Sequence, residues 1–201
     1  MDSAYTRRFK ASSREGASLS STLIRWGGLA AMVAAAMLVA ADLVACFAAF
    51  SPASYTVLLL RDRVADFADW LLLVGLIALY AFRWKVLGGP GLIGFLEAFI
   101  GMTIAQWNLI WPSVLSSLGW IFLGAASLDA EAYPPGAAIL LIAGAGLTGV
   151  ANAVIQSGLL LSNPLYIAGA MAADIIFNAA IAWLGFSLFT RSSGEVPHPA
   201  R

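Results

Sequence analysis

From Trp26 to Phe50 the chain carries one charged side chain, Asp42, and from Leu71 to Phe82 it carries none. The same holds from Gly136 to Gln156, while Leu165 to Phe189 contains only Asp174. Hydrocarbon offers no partner to a backbone N–H or C=O, so an apolar run of this kind must close its hydrogen bonds internally, as a helix does. About 20 such residues cross a bilayer. These runs point to an all-α fold, a polytopic bundle of transmembrane helices, whose first partner is the lipid bilayer.

The rest of the composition agrees. Hydrophobic residues make up 61% and charged residues 11%, with a mean hydropathy of +0.86. A soluble domain carries about 25% charged residues, so most of this surface meets something other than water. The formal net charge is zero, and nothing in it calls for nucleic acid. Cys46 and His198 are the only residues of their types. An intrachain disulfide is therefore impossible, and Cys/His zinc, haem or iron–sulfur ligation is excluded. No metal site and no cofactor are expected.

Residues 1–22 are polar and basic (Arg7, Arg8, Lys10, Arg14) and read as a disordered cytoplasmic tail, followed by a transmembrane domain over 23–190 and a polar tail over 191–201. Basic residues before the first span, and again at Arg83-Trp84-Lys85, place the N-terminus inside a cell membrane. Leu43-Val44-Ala45-Cys46 fits a lipobox. The apolar run around it is too long for a signal peptide and contains Asp42, so the reading is an uncleaved span. Pro52 is expected to end that first helix. Ser51 to Trp70 reads as a connector whose Arg61, Asp62, Arg63, Asp66 and Asp69 sit in the headgroups, with Arg63 and Asp66 at a helical spacing that favours a short surface helix. A second span over 67–82 follows.

Gly88-Gly89-Pro90-Gly91 is a tight turn. It creates a literal G-x-G-x-x-G with Gly94, but a dinucleotide site needs a strand before it, and membrane helices flank this one. The third span covers 91–111, and Pro112 ends or kinks it. Ser113 to Ser127 is then about five residues short of a crossing and reads as a re-entrant or interfacial helix. The fold expected is five spans plus that short helix, with six spans as the alternative. On the five-span reading, the acidic loop with Asp129 and Glu131 lies outside. In the fourth span, 136–156, Ala145, Gly149 and Ala153 recur every four residues, a ridge of small side chains that admits a neighbouring helix closely. A fifth span runs over 165–189.

Leu23-Ile24-Arg25-Trp26-Gly27-Gly28-Leu29-Ala30, Gly75-Leu76-Ile77-Ala78-Leu79-Tyr80-Ala81 and Ala182-Trp183-Leu184-Gly185-Phe186 together resemble stretches of a broad group of small multi-pass bacterial inner-membrane proteins. The resemblance implies a helical membrane topology and brings no activity with it. The relatives often carry one more span in the C-terminal half, and the single span ending at Phe189 departs from that pattern.

Polar side chains inside the spans are the candidates for function. On the five-span reading, Glu97, Asn152, Asp174 and Asn178 fall together near the inner boundary. Asp42, Gln106 and Asn108 fall together in the outer third. Such residues serve either as interhelical hydrogen bonds or as an ion path. No catalytic set is present: there is no membrane histidine, no H-E-x-x-H and no G-x-S-x-G. The sequence reading is a non-enzymatic membrane protein that packs with other membrane helices, as a homo-oligomer or as an accessory subunit. The alternative is a small proton- or cation-coupled transporter working through Glu97 and Asp174.

Overall fold

The computed structural model describes residues 3–50, 55–105, 110–156 and 164–191. These are helical apart from a turn at 130–134, and the described residues contain no strand. The helices are α1 (Ser3–Phe50), α2 (Tyr55–Ala105), α3 (Ile110–Asp129), α4 (Pro135–Gln156) and α5 (Pro164–Arg191). Four stretches are long and apolar enough to cross a membrane: Ser21–Ala48, Thr56–Ile104, Pro135–Val154 and Ala168–Arg191. The chain is a helical membrane bundle.

α2 has 51 residues. Straight, it would reach roughly 76 Å, more than twice the ~30 Å hydrocarbon core. It is folded instead: Arg83 (φ −126°, ψ 15°) and Gly88 (φ 59°, ψ −153°) leave helical geometry and divide it into a first arm, 55–82, and a second arm, 89–105. Gly88 sits in the left-handed region, where the absence of a Cβ removes the steric penalty. Tyr80 and Phe95 stack across the fold with ring centroids 4.6 Å apart, so the arms lie back on each other. The turn expected at Gly88–Gly91 is this feature.

Six helical segments thus follow one another in antiparallel contact around a closed ring. Gly75 of the first arm of α2 meets Ala31 of α1, and Gly94 of the second arm meets Leu123 of α3. Gly149 of α4 meets Ser117 of α3, Gly144 meets Phe177 of α5, and Gly185 of α5 returns to Gly28 of α1. A Cβ on Gly28 would lie 2.6 Å from the Gly185 carbonyl oxygen, and one on Gly185 would lie equally close to Gly28. Small residues are what let these backbones touch without a hydrophobic drive between helices. The ridge read in the fourth span is consumed in this way. Ala145 is buried, Gly149 faces α3 and Ala153 is partly buried.

One sequence expectation is corrected here and another is extended. The short segment Ser113–Ser127 is the middle of a 20-residue helix, Ile110–Asp129. Pro112 does not stop a span; it occupies the first turn of α3, where its missing N–H would have had no helical partner. The connector is helical too. α2 begins at Tyr55, so Arg61 through Asp69 lie on its first arm, with Arg63 and Asp66 paired at 3.7 Å one turn apart.

The turn after α3 is clasped to the bundle. The buried Tyr133 hydroxyl donates to the Leu79 carbonyl near the end of the first arm of α2. Burial pushes the Tyr133 phenol above its ordinary range, with Arg83 and Arg191 pulling the other way. The 130–134 turn, Arg83 and the end of α5 therefore share one end of the bundle, which also holds Arg25 beside Phe189. Tyr133→Phe is expected to cost about 1 kcal/mol, since it removes one buried hydrogen bond. A phenol whose pKa is raised on folding contributes stability that is intact below its unfolded pKa of about 10 and is lost as pH rises through the folded value. Thermal unfolding in detergent should accordingly fall off above about pH 10 more steeply for wild type than for Tyr133→Phe. Identical curves for the two proteins would refute the clasp.

Candidate functional site: an acidic cavity on the bundle axis

All six helical segments contribute to one cavity of about 240 Å³. α1 supplies Leu38 and Asp42, the first arm of α2 supplies Asp69 and Leu72, and the second arm supplies Met102. Ser113, Ser116, Ser117 and Trp120 come from α3, Ala145, Thr148 and Asn152 from α4, and Asp174, Phe177 and Asn178 from α5. Ser113 lies in the first turn of α3 and Trp120 lies two turns deeper, so the cavity extends roughly 10 Å inward from the end opposite Arg83. Its floor is the buried Trp120, with the Phe177 ring edge-on at 5.5 Å between centroids.

The polar groups are held from different helices. The Thr148 hydroxyl donates to Asp174 Oδ1 at 2.7 Å, tying α4 to α5. Asn178, one turn along α5, donates from Nδ2 to the Asp174 carbonyl at 2.9 Å. Its Oδ1 is buried and has no hydrogen-bond partner. Tyr166 secures the same end by donating to the Ala151 carbonyl at 2.6 Å. On the other side Arg61 approaches Asp42 at 3.9 Å and holds Asp62 at 2.9 Å. The nearer of those pairs lies toward solvent and adds little stability. Asp42 is mostly covered, and the Arg61 guanidinium meets part of its charge.

The residues singled out from sequence are redistributed. Asp42, Asn152, Asp174 and Asn178 share this cavity, although Asp42 was expected at a different depth. Glu97 is not on its wall; it lies on the second arm of α2 with Oε2 buried and without a hydrogen-bond partner. Gln106 and Asn108 lie outside the described residues. The reason is the path of α3. It lies along the second arm of α2, from Gly101 against Ser116 to Gly94 against Leu123, and α4 and α5 pack on in turn behind it. Their polar residues then approach Asp42 and leave Glu97.

Asp69 and Thr148 were not singled out. Asp69 carried a signal, since Leu72 and Leu76, three and seven residues on, are both buried and mark the inward face of that helix. Reading 51–70 as a connector hid it. Thr148 carried none, because a lone threonine in a glycine-rich helix has no distinguishing pattern. Comparison with protein-family models, with curated proteins and with solved structures gives no match.

Proposed function

We propose that this chain is a six-crossing protein of the cell membrane that carries protons or small cations through the axial cavity. The observation that supports this most is the convergence of Asp42, Asp69 and Asp174, from three helices, on one cavity inside an apolar bundle. Carboxylates are costly at such depth, and a bundle that needed only packing would place apolar side chains there. Cysteine-free and histidine-free walls leave these carboxylates, with the hydroxyls and amides beside them, as the groups that exchange protons or meet cations. Carrier activity is tested by proton and cation flux in liposomes reconstituted with the full chain, compared with Asp174→Asn. Flux at wild-type level in that variant overturns the reading.

The folding of α2 into two arms and the 20 residues of α3 support six crossings. Arg25, Arg83, Lys85 and Arg191 gather at one end, and Arg61 and Arg63 lie toward the other. By the positive-inside rule the end with the larger cluster is cytoplasmic, together with the N-terminus. Asp129 and Glu131 are then cytoplasmic as well. On a Cys46→Ala background, Glu131→Cys and Lys85→Cys should both resist a membrane-impermeant maleimide in intact cells and react after permeabilisation. Labelling of Glu131→Cys alone in intact cells would restore the five-span arrangement and remove the shared depth of the cavity residues.

A further inference from the structure

The cavity has something a proton path does not need, which is room. At about 240 Å³ it far exceeds the roughly 10–15 Å³ that admits one water. Its shape also disfavours a bare metal ion: among the described residues, no three Asp, Glu, His or Cys side chains converge closely enough to hold one. The carboxylates stand apart around the walls, as they would around a molecule of several atoms.

Asn178 adds an independent demand. Its side chain is 4% exposed and lines the cavity, and its Oδ1 has no donor. The amide cannot simply be turned round, because Nδ2 donates to the Asp174 carbonyl and an oxygen in its place could not. The group left open is thus an acceptor, and burying an acceptor without a donor is costly. A ligand bearing N–H groups recovers that cost and meets the adjacent Asp174 carboxylate with the charge it lacks. Part of the wall is apolar and aromatic, with Leu72, Met102, Trp120 and Phe177 beside the remaining carboxylates, hydroxyls and amide. Such a wall suits a hydrocarbon body, and aromatic rings attract an ammonium group.

We infer that the cavity binds a small organic cation, a primary ammonium on a compact apolar body. Its N–H groups meet Asn178 Oδ1 and Asp174, and its body lies against Met102 and Trp120. The inference rests on the cation-carrying reading and names its substrate class. The test is calorimetric binding to the full chain in lipid nanodiscs, with 2-phenylethylammonium as probe and 2-phenylethanol and sodium ion as comparisons. The amine should bind and the alcohol, whose single O–H can serve only one of the two acceptors and which carries no charge for Asp174, should bind at least about tenfold more weakly. Asn178→Leu and Asp174→Asn should each weaken the amine by a similar factor; if the first fails to fold, the second carries the same readout. Equal binding of the alcohol, binding of sodium in place of the amine, or no binding of the amine to wild type overturns the inference. Amine binding without liposome flux keeps this site and sinks the carrier reading, whereas flux without amine binding sinks this inference alone.

Discussion

Gly119→Val is expected to abolish the folded protein. Gly119 lies where α3 crosses the second arm of α2, and a Cβ there would run into the Ala98 amide nitrogen and come within 2.7 Å of the Gly94 carbonyl oxygen. Both obstacles are helix backbone, which cannot swing aside as a flexible side chain can. Overpacking of a core costs about 1–3 kcal/mol when neighbours can shift, and more when they cannot. Valine adds two further carbons at this contact, so the arms must separate and expose the faces around Trp120 and Leu123. Gly169 provides the contrast, since a Cβ there meets nothing within 4 Å. Gly169→Ala should be neutral or stabilising by up to about 1 kcal/mol, because alanine loses less entropy in a helix. Size-exclusion profiles and thermal unfolding in detergent read both variants. A wild-type melting temperature for Gly119→Val would mean that α3 does not lie along α2, and the six-crossing arrangement would fall with it.

Asp174→Asn should reduce flux at least about tenfold, equivalent to ~1.4 kcal/mol on the barrier, while Glu97→Gln should stay close to wild type. Both changes keep the size of the side chain and replace its carboxyl group by an amide, so folding is not the variable. What differs is position. Asp174 faces the cavity and accepts the Thr148 hydroxyl, whereas Glu97 sits off the cavity wall. Thr148 can still hydrogen-bond to the asparagine oxygen, which keeps α4 and α5 together. The pair of variants therefore separates a cavity-borne path from the path through Glu97 that the sequence suggested. Equal loss in both, or none in either, would contradict the assignment of the path to this cavity.

Much of the architecture was legible before any coordinates. Long apolar runs dictate helices in a bilayer because the backbone has no other way to satisfy its polar groups. Gly88-Gly89-Pro90-Gly91 announced the reversal within α2, since glycine tolerates the positive φ found at Gly88. Local chemistry sufficed for both. It failed at Pro112, where one residue signals either the end of one helix or the beginning of the next. Proline is excluded from a helix interior yet favoured in its first turn, and sequence alone did not say which side of it the helix lay on. On the six-crossing reading, that ambiguity reverses the expected direction of α4 and α5 and regroups the polar residues. Which carboxylates meet depends on the depth and rotation of each helix. Those are set by contacts such as Gly119 on Ala98 and Tyr133 on Leu79, between residues 21 and 54 positions apart. The apolar pattern along the chain determined that helices would cross the membrane; only their packing against one another decided that Asp42, Asp69 and Asp174 would share a cavity, because close approach of small residues is a property of pairs of helices and no single run encodes it.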